Sequence, residues 1–247
     1  NPDHSADFRL MKYSPNGDLL WTSTYHGSAT GNDYAMALTT DPGGNFYVTG
    51  FSHGTGTDVD YATIKYSPDG DSLWVARYDG PRHSTDQPRA IAVDALGNVY
   101  VTGTSVGQGG DWDAVTVKYD SLGNELWVAR YDRPGPFEDA FGLALDPNGN
   151  ACIAGRTSTD STGMDWLVIK YGLNGAITEF PSVRIGTDRI TATIVRGLLY
   201  LPVDNIQKSP VSKMFDINGR KVALLHPGQN DVKHLAPGVY FLKIGNE

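Results

Sequence analysis

Cysteine is nearly missing from this chain: Cys152 is the only one in 247 residues, so no intrachain disulfide can form. Long apolar runs are missing as well. None approaches the ~20 residues that a membrane helix requires, and no basic-then-apolar segment opens the chain as an export signal would. No segment holds a 3.6-residue apolar period, so nothing in the pattern asks for a helix. The usual signatures of chemistry are equally scarce. The histidines, six in all, have no zinc spacing, and no serine stands in a Gly-x-Ser-x-Gly setting. The loops at 54–60, 109–113 and 160–165 carry a few carboxylates each but never the Asp-x-Asp-x-Asp-Gly order of a calcium loop. Catalytic residues, metal ligands and cofactors are therefore all expected to be none.

Positive charge is short in one part only. Residues 1–180 hold 11 Lys and Arg against 23 Asp and Glu, whereas residues 181–247 hold 9 against 5. An acidic surface is a poor partner for nucleic acid, because neutralising phosphates takes cations.

What the chain has in abundance is repetition. Asp7, Asp60, Asp113 and Asp165 step by 53, 53 and 52 residues, and Lys12-Tyr13, Lys65-Tyr66, Lys118-Tyr119 and Lys170-Tyr171 keep step with them. Trp21, Trp74 and Trp127 follow the ladder, as do Tyr25, Tyr78 and Tyr131, then Asp33, Asp86 and Asp139, and the glycines Gly50, Gly103 and Gly155. Self-similarity at about 50 residues signals propeller blades or a related array. Within a copy, short β-branched and aromatic runs alternate with Gly, Asp and Asn turns, giving four antiparallel strands. Runs such as Leu167-Val168-Ile169 are apolar on both faces, so both faces must be covered. Stacked blades do this, with the three ladder tryptophans filling the gaps between sheets. Cys152 replaces the Tyr100 and Tyr47 of the other copies and is expected to be a buried thiol.

The order Asp, aliphatic run, Lys-Tyr, Gly turn, Leu-Trp, then Asp-x-x-Gly-Asn and Tyr-Val-Thr-Gly resembles the SBBP-type β-propeller repeats of bacterial secreted proteins, over roughly residues 7–180. That resemblance implies a propeller but no single activity. The fold expected is all-β: a partial propeller of about three and a half four-stranded blades, then a small Ig-like β-sandwich. The half blade covers 7–33, and the blades 34–86, 87–139 and 140–180, closing a domain of 1–180. An arc of this size is open, so the expectation is a piece of a longer chain, with ring completion by partner copies as the alternative.

Past Pro181-Ser182 the repeat does not return. Strands are expected within 189–202, 211–216, 221–225 and 238–244, the pattern of a small β-sandwich. Phe215-Asp216-Ile217-Asn218-Gly219-Arg220, followed by Leu235-Ala236-Pro237-Gly238-Val239-Tyr240, resembles the C-terminal sorting domain of type IX secretion cargo. The resemblance makes Asp216, Gly219, Arg220, Leu235, Gly238 and Tyr240 its motif residues within 183–247, and the secretion machinery its partner. Family members usually continue into a last basic strand, whereas this sequence stops at Gly245-Asn246-Glu247.

Residues common to every copy serve what every copy needs, so Asp33, Asp86 and Asp139 are expected to bond backbone at strand entrances, and Asp41, Asp94 and Asp146 to open turns. Ligand binding is expected where copies differ, on loops held by the scaffold. Those places are Arg82 and His83, Arg133 and Phe137, and Trp112 in its Gly-rich loop. The reading is an extracellular or cell-surface, non-catalytic module whose ligand is a glycan or a protein. The alternatives are a polysaccharide-active propeller enzyme whose catalytic blades lie outside this sequence, and a structural protein that self-associates through open blade edges.

Overall fold

The computed structural model describes residues 6–133, 136–159 and 163–179, and within the remainder the segments 190–194, 198–201, 212–215, 220–225, 228–231 and 239–243. The chain divides into two compact units, Asn1–Phe180 and Pro181–Glu247. Every regular element among the described residues is a strand.

The first unit opens with a hairpin of β1 (Phe8–Tyr13) and β2 (Leu19–Tyr25). Three four-stranded antiparallel meanders follow. The first is β3 (Tyr34–Thr40), β4 (Phe46–His53), β5 (Val59–Tyr66) and β6 (Ser72–Tyr78). The second is β7 (Asp86–Val93), β8 (Val99–Val106), β9 (Trp112–Tyr119) and β10 (Glu125–Tyr131). The third is β11 (Phe137–Leu145), β12 (Ala151–Thr159), β13 (Gly163–Tyr171) and β14 (Ile177–Glu179). The opening hairpin pairs like the last two strands of the first two meanders, β5–β6 and β9–β10.

Turn chemistry builds the hairpins. The Asp41 carboxylate accepts the Asn45 backbone N–H at 3.0 Å and its side-chain amide at 2.8 Å, and Asp94, Asp120 and Asp146 hold Asn98, Asn124 and Asn150 in the same way. The inner strands carry a register shift at one shared place, between Ala35 and Ala37, Pro88 and Ala90, and Ala140 and Gly142. This bulge pushes a carbonyl toward the next strand. A Cβ on Gly50, Gly103 or Gly155 would lie 1.9, 2.1 or 1.9 Å from the carbonyl oxygen of Tyr34, Gln87 or Asp139, so those three positions admit only glycine.

Blades stack through unlike faces. Tyr47, Tyr61, Trp74, Ala76 and Tyr78 of one blade pack on Val99, Val101, Val115, Val117 and Tyr119 of the next. Tyr100, Trp127 and Tyr131 pack in turn on Ile153, Leu167, Ile169 and Tyr171. The tryptophans lie in these seams as expected, and each is pinned at its polar end. Trp21, Trp74 and Trp127 donate Nε1–H to the carbonyls of Pro68, Ser121 and Leu173 in the following blade, each at 3.1 Å. The facing hairpin glycines, Gly70, Gly123 and Gly175, have φ between +77° and +93°, and their bare Cα atoms leave room for the ring.

At the two ends of the arc this covering stops. Met11 and Tyr13 are 47% and 54% exposed, where their counterparts Ile64 and Tyr66 are buried at 0% and 2%. Trp166, Met164 and Phe141 are exposed on the last blade. Cys152 is a free, buried thiol, and burial pushes its pKa up to about 11.

In the second unit, β15 (Ile190–Ile194), β17 (Ser212–Phe215), β18 (Lys221–Leu225) and β20 (Val239–Lys243) form one antiparallel sheet, in the order β15-β20-β17-β18. A two-stranded sheet joins β16 (Leu198–Leu201) to β19 (Gly228–Asp231). The described strands of this unit thus form one four-stranded and one two-stranded sheet, and the strand at 228–231 was not anticipated.

Candidate functional site

In a four-stranded meander, the loop between the second and third strands and the connection to the next blade emerge at the same end. Hydrogen bonds between these segments tie that end into a continuous rim. Thr55 Oγ1 donates to the Ser28 carbonyl at 3.1 Å, and Thr85 Oγ1 to Asp58 at 2.7 Å. Arg82 Nη1 donates to the Gln108 carbonyl at 3.3 Å, and Gln108 Nε2 returns a bond to the Pro81 carbonyl at 3.2 Å. A single parallel bridge pairs Trp112 with Phe137.

The residues singled out because the copies differ are therefore gathered on one rim. Arg82 and His83 are exposed. His83 has φ +52°, which is uncommon outside glycine, and its Nδ1 lies 2.6 Å from Asp79 Oδ2, an acid that raises the pKa of the imidazole. Arg133 is exposed beside Tyr131, its guanidinium 5.4 Å from the ring centroid. Phe137 is half-buried under Arg156, with 4.6 Å between guanidinium carbon and ring centroid. Trp112 differs from expectation: it is the first residue of β9 rather than a loop residue, and it is half-buried. Strand pairing on both sides, with Val106 and with Phe137, draws it out of the loop.

Beneath the rim lies a buried polar layer, repeated from blade to blade. Arg77 donates to Asp60 at 2.8 Å, to the Ser52 carbonyl at 2.8 Å, to Ser52 Oγ at 2.9 Å and to Tyr25 Oη, in the neighbouring hairpin, at 3.2 Å. Arg130 repeats the pattern with Asp113, Ser105 and Tyr78. Asp33 and Asp86 accept the backbone N–H of Gly27 and Gly80 at 2.6 Å, as the sequence suggested. The Asp139 carboxylate takes the Thr104 hydroxyl and the Arg156 guanidinium, and Arg133 stands at the position of those glycines. Desolvation, added to by the charges of Asp60 and Asp79, raises Asp86 to about 6.

Alignment of the copies on Asp60 did not reveal Arg77 and Arg130 as members of this layer, or Asp79 and Asp132 as exposed acids beside it. The signal was present in the 53-residue spacing of each pair, but the first copy carries Thr24 and His26 at those positions and hides it.

The layered aromatic seams, the closing glycines and the Asp-x-x-Gly-Asn turns meet in the stretch from Trp74 through β8. Residues 74–109 match the SBBP β-propeller repeat. That SBBP match runs across a blade boundary, taking in the pinned indole of one blade and the inner strands of the next. A curated relative, the uncharacterized WD repeat-containing protein L264 of Acanthamoeba polyphaga mimivirus, is 30% identical over 108 residues, which cover 37% of this chain and 8% of the relative. Among solved structures, TcdA4 of Morganella morganii aligns with 82% of this chain and 12% of its own at 9% identity and a TM-score of 0.35. A eukaryotic initiation factor aligns with 91% of this chain and 74% of its own at 10% identity and a TM-score of 0.30.

Of the sorting-motif residues, Arg220 is exposed next to β18, and Tyr240 lies in β20, paired with Thr193. Asp216, Gly219, Leu235 and Gly238 lie outside the described residues.

Proposed function

We propose that this protein is an exported, non-catalytic propeller-type module that binds a glycan or protein ligand through its loop rim. One observation carries this reading: the residues that depart from the repeat converge on a single rim, above a scaffold that is otherwise the same from blade to blade. The repeat fixes the frame, and the variable loops stand on the surface the frame presents. An aromatic held at a rigid strand end, on the same rim as Arg82 and Arg133, is a suitable platform for a sugar face or a protein hot spot. A glycan array probed with the full chain tests this. Binding that falls about 30-fold or more in Trp112→Ala, as expected for truncating a hot-spot aromatic, supports it. Turnover of an arrayed polysaccharide with no dependence on Trp112 would instead favour the enzymatic reading.

Export is assigned to residues 183–247, on the motif order Asp216, Gly219, Arg220 and then Leu235, Gly238, Tyr240. In a host with type IX secretion, a reporter fused to this segment behind an inner-membrane signal is expected in the medium or on the cell surface. Equal retention of the reporter with and without the segment would remove the assignment.

A further inference from the structure

The segments 107–113 and 131–132 bring three carboxyl groups together under the rim, beside Glu138 at the start of β11. Asp111, Asp113 and Asp132 each offer an oxygen within 4.8 Å of the other two. Glu138, the second residue of β11, stands where the preceding copy has Thr85, whose hydroxyl lies 2.7 Å from Asp58, the counterpart of Asp111; burial, and then the charges of Asp113, Asp111 and Asp132, raise its pKa to about 7. Two of these acids are sealed from water and incompletely satisfied. Asp113 is 0% exposed; Oδ2 is held by Arg130, and Oδ1 has no hydrogen-bond partner. Glu138 is also 0% exposed; Oε1 accepts the Thr157 hydroxyl at 3.0 Å, and Oε2 has no partner. Buried carboxylate oxygens are rarely left in this way, because each one forfeits its hydration without compensation.

The preceding copy also gathers three acids, Asp60, Asp79 and Asp86, and leaves Asp60 Oδ1 without a partner, but it differs at the loop and at the start of the next blade. There the equivalent positions are Asp58, Asp60, Asp79 and Thr85. Asp58 is satisfied by the Thr85 hydroxyl at 2.7 Å, and Asp79 by His83 at 2.6 Å. Replacing that threonine with Glu138 turns a hydrogen-bonded pair into facing acids, and no histidine follows Asp132 at the corresponding position, which is Pro136. Arg130 offsets only one of these carboxylates, Asp113, so the group keeps an excess of negative charge.

We propose that Asp111, Asp113, Asp132 and Glu138 form a divalent-cation site, with calcium as its occupant, that clamps the β8–β9 loop to the start of the following blade. The donors are all hard oxygens, and they come from three backbone segments that can adjust their spacing. This suits calcium, which accepts six to eight oxygens in varied geometry, better than magnesium, which insists on a tight octahedron. No single loop supplies the ligands, and so linear spacing did not reveal them.

Trp112 sits between two of the proposed ligands and supplies the probe. Terbium, a calcium surrogate, should luminesce on excitation of tryptophan in the full chain, and calcium should displace it with a Kd of about 0.1–1 mM, the range of extracellular modules. Calcium should also raise the melting temperature. Glu138→Thr, which restores the residue of the preceding copy, and Asp111→Asn should each abolish both responses, whereas Asp58→Asn should leave them intact. The site is refuted if millimolar calcium produces neither displacement nor a thermal shift, or if both survive in Asp111→Asn and in Glu138→Thr.

Discussion

Trp74→Ala is expected to cost about 3–5 kcal/mol, the range for emptying a packed aromatic site. The indole spans the seam between the second and third sheets of the arc. Its ring centroid lies 6.2 Å from that of Tyr47 on its own blade and 6.4 Å from that of Tyr119 on the next, and its N–H is spent on the Ser121 carbonyl at 3.1 Å. Truncation would remove the ring and also strand a carbonyl in the seam. In an array, stability is close to a sum of unit terms and nearest-neighbour interfaces, so the loss should fall mainly on this interface. Urea unfolding followed by circular dichroism should show a lower midpoint, with the two sides of the seam separating into distinct transitions. Gly123→Ala supplies a companion test of the same seam: its Cβ would sit 2.8 Å from Trp74 Cδ2, at φ +86°. Because both changes damage one contact, the double variant should lose less than the sum of the singles. A loss below about 1 kcal/mol for Trp74→Ala would mean that the blades are held together by something other than their indoles.

That the seams were legible in the sequence follows from how a repeat protein is selected. Each copy meets the same neighbour, so Trp21, Trp74 and Trp127 recur, and so do the glycines they cover. Gly50, Gly103 and Gly155 recur for a steric reason that is equally local, the bulged carbonyl opposite them. What periodicity conceals is any group whose partner lies in a different copy or strand. Arg77 lies 17 residues from Asp60 and 52 from Tyr25, and nothing in the spacing of those three residues says that one guanidinium holds both.

The rim illustrates the same limit from the other side. Departures from the repeat identified Arg82, His83, Trp112, Arg133 and Phe137 one by one, and the meander topology, with connections alternating between two ends, explains why they meet. Their surroundings could not be read. Trp112 is drawn into β9 by pairing with Phe137, which is 25 residues away. Asp139 takes the Thr104 hydroxyl and the Arg156 guanidinium, partners that lie 35 and 17 residues away. Such pairings join positions far apart in the chain, and only coordinates relate the two.

Arg77→Met tests whether the buried layer binds blade to blade. Methionine keeps most of the volume but none of the charge, so the variant would leave Asp60, 3% exposed, without its cation, and would leave Ser52 and Tyr25 without their donor. Removing one partner of a buried pair costs about 3–5 kcal/mol, because the remaining charge stays out of water. The deficit should depend on pH in a definite sense. A carboxylate stripped of its cation in a dry site binds protons more tightly when folded than its unfolded reference of about 3.9. The folded variant then holds more protons than the unfolded chain across that window, so its stability rises as pH falls through it. Asp86, already raised to about 6 by burial beside Asp60, works in the same direction in both proteins and cancels in the difference to first order. Urea unfolding of both proteins should therefore show the largest gap at pH 7 to 8 and a narrower one near pH 5. Adding Asp60→Asn to the variant should recover part of the loss and flatten the pH dependence. Equal gaps at the two pH values would assign the cost to lost packing and hydrogen bonds, and the ion pair would then not be what joins the hairpin to its neighbouring blade.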